Sequence, residues 1–243
     1  MRYALIADIH ANLAALTAIM ADIECRGWVG EVWCLGDVVG YGPDPHQCIE
    51  YLKQFEHVCV AGNHDWAAVG KISTSEFNPD AAAACHWTAQ QLNPEDVKYL
   101  ESLPTTVQRG DFTLVHGSPR KPIWEYLLST GSAQENFTYF KSPFCLIGHS
   151  HVPLIFESDK AGCSLSEFPA NDTLMLAEKR LIINPGGAGQ PRDGDPRASY
   201  AIYDSEMGAI TRYCVPYDIG ATQTKMEEYG LPASLVARLS YGV

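Results

Sequence analysis

Three short apolar segments near the start of the chain each end in polar residues, and helical patterns separate them. Residues 2–7, 31–35 and 57–61 are predicted to be buried strands, whereas residues 13–24 and 46–55 are predicted helices. This strand–helix alternation predicts a largely parallel sheet with helices packed on it. Ligand sites of such folds lie at the carboxyl ends of the strands, so the polar residues that follow these segments become candidates for one site.

The third segment runs directly into Gly62-Asn63-His64-Asp65, which places an amide, an imidazole and a carboxylate side by side. These groups could serve as a metal ligand, a proton donor and a residue that orients the donor. For this stretch alone, a polar turn with Asn63 or Asp65 as a helix N-cap is the alternative.

The remainder of the chain alternates less regularly. Residues 78–91 and 94–100 are predicted helices with no strand between them, so residues 71–103 form either a small helical cap or an ordinary crossover. A hairpin at 105–115, a helix at 132–140 and a strand at 144–147 are predicted next. Strand-like segments at 153–157, 179–183, 199–203 and 210–215 are expected to form a second, more antiparallel sheet, and residues 220–243 one or two helices. Without linkers or repeats, residues 1–243 are expected to form a single domain.

Composition limits the partners and the compartment. The 243 residues carry a net charge of −12, which disfavours nucleic acid polymers and anionic membrane surfaces. An anionic substrate would therefore need metal ions or a few arginines. The eight cysteines include no C-x-x-C pair, so reduced thiols are expected. With neither a signal peptide nor a long apolar segment, the chain is expected to be soluble and cytoplasmic, and its oligomeric state is left open.

Residues that can bind metals follow five of the predicted strands. They are Asp8, His10, Asp37, Asn63, His116, His149 and His151. Each alone is more often structural than a ligand, but together they exceed the three protein ligands that one tetrahedral site with an open position needs. They suit two metals that share a carboxylate. Oxygen and nitrogen donors without thiolates favour Mn, Fe, Zn, Co or Ni over Ca or Mg.

These donors lie in five short motifs: Asp8-x-His10, Gly36-Asp37, Gly62-Asn63-His64-Asp65, His116-Gly117 and Gly148-His149-x-His151. In kind and order the motifs resemble those of the calcineurin-like metallophosphoesterases. Residues 40–45 and 184–193 resemble a bacterial and archaeal branch of small, phosphodiesterase-like members. The resemblance implies an α/β fold of four layers, α/β/β/α, in which two mixed sheets are flanked by helices. It also implies a dinuclear, metal-dependent hydrolase of phosphate esters.

The resemblance further implies a role for each motif residue. Asp8, His10 and His151 would bind one metal; Asn63, His116 and His149 would bind the other; Asp37 would bridge both. A metal-bridging hydroxide would attack phosphorus in line, and His64 would protonate the leaving group while Asp65 holds its ring. Asn12, also a natural N-cap for the first helix, would lie close enough to contact the phosphate.

Three departures from the family pattern bear on the substrate. Ala11 replaces a common glycine, so the backbone there is expected to avoid positive φ. Tyr41 stands where protein phosphatases and symmetric dinucleoside tetraphosphatases carry a phosphate-clamping arginine, and Asp65 replaces their glutamate. Both changes favour a small-molecule or nucleotide phosphodiesterase or phosphatase. A dinucleoside polyphosphate hydrolase or a phosphoprotein phosphatase is the alternative, and a non-catalytic metal-binding scaffold is a further one.

Two arginines and three aromatic residues remain as candidates for substrate contacts. Arg120 and Arg192 lie in loops near predicted site residues and could hold the phosphate, although each could equally brace a loop or face solvent. Tyr41, Trp66 and Trp124 could stack on a nucleobase, but such residues more often belong to a core or a rim.

Overall fold

Two six-stranded sheets form the centre of the structure, a computed structural model that describes residues 1–243. The strands are β1 (Arg2–Ile6), β2 (Glu31–Cys34), β3 (His57–Cys59), β4 (Thr106–Arg109), β5 (Phe112–Val115), β6 (Phe144–Leu146), β7 (Leu154–Asp159), β8 (Gly162–Glu167), β9 (Thr173–Met175), β10 (Arg180–Asn184), β11 (Ala198–Asp204) and β12 (Ala209–Val215). The helices are α1 (Leu13–Cys25), α2 (Pro45–Leu52), α3 (Asn63–Ala68), α4 (Pro79–Gln91), α5 (Pro94–Ser102), α6 (Thr130–Asn136), α7 (Ile219–Glu228) and α8 (Ala233–Arg238).

The first sheet has the strand order β3-β2-β1-β11-β12-β9. Strands β1, β2 and β3 are parallel, with Leu5 beside Trp33 and Trp33 beside Val58, which confirms the prediction from the strand–helix alternation. Helix α1 connects the first two strands. Its N-cap is Asn12, whose side-chain oxygen accepts a hydrogen bond from the backbone N–H of Ala15 at 3.1 Å.

The second sheet has the order β4-β5-β6-β10-β7-β8 and includes the predicted hairpin β4–β5. The prediction that residues 199–203 and 210–215 also belong to it is wrong. Strand β11 instead pairs antiparallel with β1, placing Tyr203 opposite Tyr3, and β12 follows β11 in the first sheet. The neighbouring residues Tyr200 and Ala201 are both buried, so β11 is apolar on both faces and fits an interior position in either sheet.

Alternate residues of β1 point into two different layers. Leu5 belongs to the apolar cluster between the sheets, with Phe112, whereas Ile6 belongs to the cluster beneath α1, with Ile19. A third cluster, which includes Phe137, covers the outer face of the second sheet near α6. The order of layers is therefore α/β/β/α, as the resemblance implied.

The predicted helices are all present with shifted bounds, whereas α3 was not predicted. Its N-cap is Gly62, not Asn63 or Asp65 as the alternative for that stretch had it. Helices α4 and α5 follow α3 with no strand between them, and Asn78 and Asn93 are their N-caps. Helix α6 begins two residues earlier than predicted and ends at Asn136. Strands β8 and β9 were not predicted, because β8 is largely exposed and polar and β9 has only three residues. None of the helices combines the length and the apolar composition needed to cross a membrane.

Candidate metal centre

The loops that follow β1, β2, β5 and β6 meet at one edge of the paired sheets, together with the start of α3. These loops carry the seven predicted metal-binding residues. Asp8 and His10 follow β1, Asp37 follows β2, Asn63 begins α3, His116 follows β5, and His149 and His151 follow β6. All seven are buried, with at most 5% of each residue exposed. Buried polar groups at this density require partners.

The backbone of these loops is strained at most of the donors. Six residues have a positive φ between 47° and 64°: Asp8, His10, Ala11, Asp37, His149 and His151. Left-handed conformations cost an L-residue about 1–2 kcal/mol and persist only where surrounding contacts impose them. The expectation that Ala11 avoids positive φ is wrong, because its φ is 51°. Its N–H donates to the carbonyl of Val38, and its own carbonyl accepts from the N–H of Asp44, both at 2.9 Å.

The first donor group consists of Asp8, His10 and His151. The Nε2 atoms of His10 and His151 lie 3.1 Å apart, and Oδ1 of Asp8 lies 3.5 Å from Nε2 of His151. The other carboxylate oxygen of Asp8 is buried without any hydrogen-bond partner. Burial raises the pKa of Asp8 to about 7. The group therefore leaves a carboxylate oxygen and two ring nitrogens without mutually compatible partners.

The second donor group consists of Asp37, His116 and His149, with Asn63 beside them. Nε2 of His116 lies 3.1 Å from Nδ1 of His149 and 3.2 Å from Oδ1 of Asn63. Oδ2 of Asp37 lies 3.3 Å from Nε2 of His116 and 3.6 Å from Nε2 of His10. Asp37 thus lies between the two groups.

Backbone carbonyls fix which nitrogen of each ring faces its group. Nδ1 of His10, His116 and His151 lies 2.5–3.2 Å from the carbonyls of Val39, Leu35 and Gln190, respectively. A ring that donates its Nδ1–H to a carbonyl presents the lone pair of Nε2. In His149 the roles are exchanged, because Nε2 faces the carbonyl of Trp124 at 3.3 Å. These contacts orient the four imidazoles as metal ligands usually are.

Protonation in the absence of metal agrees with this orientation for three of the rings. Burial holds the pKa of His10 and His151 well below the ordinary value and lowers that of His149 to about 3. Burial also opposes a charge on His116, but the Asp37 carboxylate raises the pKa of His116 to about 9. The lone pairs of these neutral rings face one another, and a buried carboxylate oxygen lies beside them without a partner. Such a donor set fits divalent metals.

The geometry around Asp65 differs from its implied role of holding the His64 ring. The Asp65 carboxylate accepts hydrogen bonds from the backbone N–H groups of Asp37, Val39 and Gly62 at 2.8–3.1 Å. It therefore braces the loop that carries Asp37 and does not hold the His64 ring. Burial lowers the pKa of His64 to about 4, and its Nδ1 has no hydrogen-bond partner. Aromatic packing holds the ring instead, with Tyr41 at 4.3 Å between ring centroids.

A cavity of about 300 Å³ opens above the donors. Its lining residues include Asp37, Tyr41, Asn63, His64, Glu76, Phe77, Asn78, Trp124, Tyr126, His149, His151 and Arg192. The guanidinium carbon of Arg192 lies 5.8 Å from the centroid of the Tyr41 ring, and its Nη2 donates to Gln190 at 3.0 Å. Arg192 therefore places a positive charge at a cavity whose other lining side chains are acidic or neutral.

The structure does not bring three other candidates into this cavity. Arg120 pairs with Glu125 and Glu135. The Asn12 amide is committed to structural contacts, because its Nδ2 donates to the carbonyl of Gly189 at 2.8 Å while its oxygen caps α1. Trp66 packs under the ammonium group of Lys71, which lies 3.9 Å from its ring centroid.

Sequence reasoning missed four of the residues that line the cavity: Glu76, Phe77, Asn78 and Tyr126. Phe77 follows a short 3₁₀ turn before α4, and Tyr126 lies in the loop between β5 and α6. Neither position shows a periodic pattern. The only available signal was an aromatic residue within a polar loop close in sequence to a site motif, which is a weak one.

Comparisons with known proteins agree with the geometry. A family model described as the calcineurin-like phosphoesterase superfamily domain matches residues 1–208. The crystal structure of a metallophosphoesterase from Sphaerobacter thermophilus is similar over 100% of this chain and 99% of that chain, with 47% identity and a TM-score of 0.91. An uncharacterized protein of Methanocaldococcus jannaschii is 37% identical over 98% of this chain and 97% of its own length. A symmetrical bis(5'-nucleosyl)-tetraphosphatase of Pseudomonas putida is 29% identical in an alignment of 100 positions that covers 35% of this chain and 35% of that protein.

Proposed function

The chain belongs to the calcineurin-like phosphoesterase superfamily, and we propose that it hydrolyses small phosphate esters with two divalent metal ions bound at the loop edge of its sheets. The observation that carries the proposal is the position of Asp37, whose Oδ2 lies 3.6 Å from Nε2 of His10 in the first donor group and 3.3 Å from Nε2 of His116 in the second. Asp8, His10 and His151 would hold one ion, and Asn63, His116 and His149 would hold the other. Asp37 would be shared by both.

When bound, such ions supply Lewis acidity toward the phosphoryl oxygens and an activated water for in-line displacement. Mn, Fe, Zn, Co and Ni are all compatible with the mixed imidazole and oxygen donors. The protein's own contribution is orientation, because a backbone carbonyl fixes each of the four rings.

His64 is the proposed proton donor to the leaving oxygen. It lines the cavity beside Asp37 and makes no hydrogen bond that would commit its ring. A bound phosphate anion favours the imidazolium form, because nearby negative charge raises the pKa of a histidine. An alkoxide that departs from phosphorus needs that proton, whereas a nitrophenolate does not.

Arg192 is the proposed phosphate-binding cation. Tyr41 stands where related phosphatases carry an arginine, yet the Arg192 guanidinium lies over the Tyr41 ring and lines the same cavity. A guanidinium binds phosphate oxygens through paired N–H groups. The loop at residues 184–195 therefore supplies the charge that the loop after β2 lacks.

A small phosphodiester or phosphomonoester, including a nucleotide, is the proposed substrate class, because the cavity of about 300 Å³ is at the lower end of small-ligand sites. A dinucleoside polyphosphate is the second candidate. The local similarity to symmetrical tetraphosphatases and the Arg192 guanidinium both favour it. Residues 1–243 are proposed to form one domain, with residues 71–103 as a small cap, because Glu76, Phe77 and Asn78 line the cavity.

The proposal is tested by measuring metal content and hydrolysis in one preparation. Metals per chain are counted, and bis(p-nitrophenyl) phosphate is assayed against p-nitrophenyl phosphate and diadenosine tetraphosphate with added Mn²⁺. About two ions per chain with turnover of the diester supports a phosphodiesterase, and a preference for the monoester supports a phosphatase. Protein that binds metal but turns over none of the three substrates would instead be the non-catalytic metal-binding scaffold, and protein that binds no metal would overturn the proposed metal centre.

A further inference from the structure

Resting on the proposed function, we propose that the leaving group of the substrate is a nucleoside whose base stacks in the corner between Phe77 and Trp124. Their ring centroids lie 5.5 Å apart, and the ring planes meet at 83°. Both rings are only partly buried, and both line the cavity above the donors. A planar ligand in this corner can stack on one ring and meet the other ring at nearly a right angle.

The position of His64 identifies the side of the cavity on which the leaving group lies. His64 would give its proton to the leaving oxygen, and its ring centroid is 4.8 Å from that of Phe77. Contacts continue from there in a row. Arg192 lies over Tyr41, Tyr41 packs on His64, His64 packs on Phe77, and Phe77 packs on Trp124. The order of these side chains is a cation, a proton donor and an aromatic corner. It corresponds to the order of phosphate, ester oxygen and base in a nucleotide.

The other aromatic residues of the cavity already have partners for their rings. Tyr126 stacks on His149 with centroids 3.9 Å apart and planes 13° from parallel. Tyr41 packs against His10 and His64 and lies under Arg192. Phe77 and Trp124 contact each other, and Phe77 also contacts His64, but both rings are only partly buried and Trp124 has no other aromatic partner, so this pair keeps surface for an aromatic ligand. Stacking of bases on such rings tolerates any base, because every base has a π face.

Polar groups beside Phe77 favour a nucleoside over a plain aryl alcohol. The Glu76 side chain lines the cavity and has no hydrogen-bond or ion-pair partner. The Asn78 side-chain oxygen caps α4 through the N–H of Ala81, which leaves the amide N–H₂ to donate. A carboxylate and an amide next to a stacking ring can bind sugar hydroxyls and the polar edge of a base. An unsubstituted phenyl group would leave both unused.

The reaction this implies is hydrolysis at the phosphorus of a nucleotide. The bond between phosphorus and the nucleoside oxygen breaks, and an oxygen from water bonds to phosphorus. The nucleoside leaves as an alcohol after its oxygen takes one proton, and the phosphate or phosphate monoester is the other product. No oxidant or reductant is needed.

The experiment compares substrates that release the same alcohol group with and without a base. Adenosine 5′-monophosphate is paired with ribose 5-phosphate, and the methyl ester of each is included for a diester-specific enzyme. The wild-type kcat/KM is expected to be roughly 10–100-fold higher for the nucleotide, as stacking predicts. Phe77→Ala and Trp124→Ala should remove most of this advantage, chiefly through KM. Tyr139→Ala, an exposed aromatic residue that does not line the cavity, is the matched control.

Inhibition gives a second readout that does not depend on turnover of nucleotides. Adenosine should inhibit hydrolysis of bis(p-nitrophenyl) phosphate competitively and far better than ribose, and Trp124→Phe should retain this inhibition. Equal kcat/KM for nucleotide and ribose phosphate, or equal inhibition by adenosine and ribose, would overturn the inference while the nitrophenyl ester is still hydrolysed. If the metal-loaded wild-type protein hydrolysed no phosphate ester at all, the proposed function itself would be overturned.

Discussion

His10 and His151 face each other with their Nε2 atoms 3.1 Å apart, although 141 positions separate them in the sequence. Each ring is turned by a backbone carbonyl that receives its Nδ1–H, so two lone pairs point at the same buried space. Without a cation or a proton between them, this arrangement is electrostatically unfavourable. Metal binding should therefore stabilise the fold as well as enable hydrolysis.

Asp37→Ala should release both metals, whereas Asp8→Ala should release one. Oδ2 of Asp37 lies within 3.6 Å of a ring nitrogen in each donor group, whereas Asp8 is grouped only with His10 and His151. Metal analysis after gel filtration should give about two ions per chain for the wild type and about one for Asp8→Ala. Circular dichroism controls for folding. Retention of two ions by folded Asp37→Ala would contradict the shared-ligand assignment.

His64→Ala should keep both metals but lose roughly 10²–10⁴-fold in kcat on alkyl phosphate esters, because general acid catalysis contributes about that much. The loss on p-nitrophenyl esters should be much smaller, since nitrophenolate leaves without a proton. The comparison of the two leaving groups in one metal-analysed preparation separates proton donation from damage to the site. Full activity of metal-loaded His64→Ala on alkyl esters would contradict the assignment of His64 as the proton donor.

The sequence predicted which donor residues lie together better than it predicted the sheets. Asp8 and Asp37 follow parallel strands of the first sheet, which end at one edge, so topology alone could bring them together. His151 follows β6 of the second sheet, and only the family motifs indicated that it would join them. The sheet that β11 joins could not be predicted in this way. Tyr200 and Ala201 make both faces of that strand apolar, and such a strand fits the interior of either sheet.

Backbone and side-chain conformations that tertiary contacts impose could not be predicted from the sequence either. The positive φ of Ala11 is imposed by hydrogen bonds to Val38 and Asp44, which contradicts the local preference of alanine. Adjacency of His64 and Asp65 suggested a hydrogen-bonded pair. At the start of a helix, however, the Asp65 carboxylate turns back toward backbone N–H groups.

Gly40→Ala should impair His64, whereas Ala11→Gly should be neutral or mildly stabilising. Gly40 has a φ of 92°, and a Cβ there would lie 2.5 Å from Nδ1 of His64. Ala11 has a φ of 51°, and glycine relieves about 1–2 kcal/mol of strain against an entropic cost of about 0.4–1 kcal/mol. Urea unfolding and alkyl ester kinetics of both variants provide the check. Wild-type kcat for Gly40→Ala would mean that the His64 ring has room to move.

Arg192→Gln should raise KM for phosphate esters and lower kcat/KM by roughly 10–100-fold, because a charge-assisted hydrogen bond contributes about 1.5–3 kcal/mol. Arg120→Gln is the matched control, since its guanidinium pairs with Glu125 and Glu135 and does not line the cavity. Tyr41→Phe should have a smaller effect, because it keeps the ring beneath Arg192. If the two arginine variants lose activity equally, phosphate binding by Arg192 is not supported.

Glu125 should stabilise the loop between β5 and α6 at neutral pH but not in acid. Burial opposes its charge, but hydrogen bonds from Arg120, Ser118 and Asn136 lower its pKa to about 2. Because the folded-state pKa lies below the unfolded value of about 4.3, the stabilisation is present above about pH 5 and is lost as the pH falls toward 2. Glu125→Gln should therefore lower the free energy of unfolding by roughly 1–2 kcal/mol at pH 7.

The difference in the free energy of unfolding between Glu125→Gln and the wild type should shrink by pH 3. The control variant Glu135→Gln, which removes an exposed partner of the same arginine, should lower the free energy of unfolding less at pH 7. Urea unfolding of the three proteins at both pH values measures the effect. If Glu125→Gln lowered the free energy of unfolding equally at both pH values, side-chain packing and not charge would stabilise the loop.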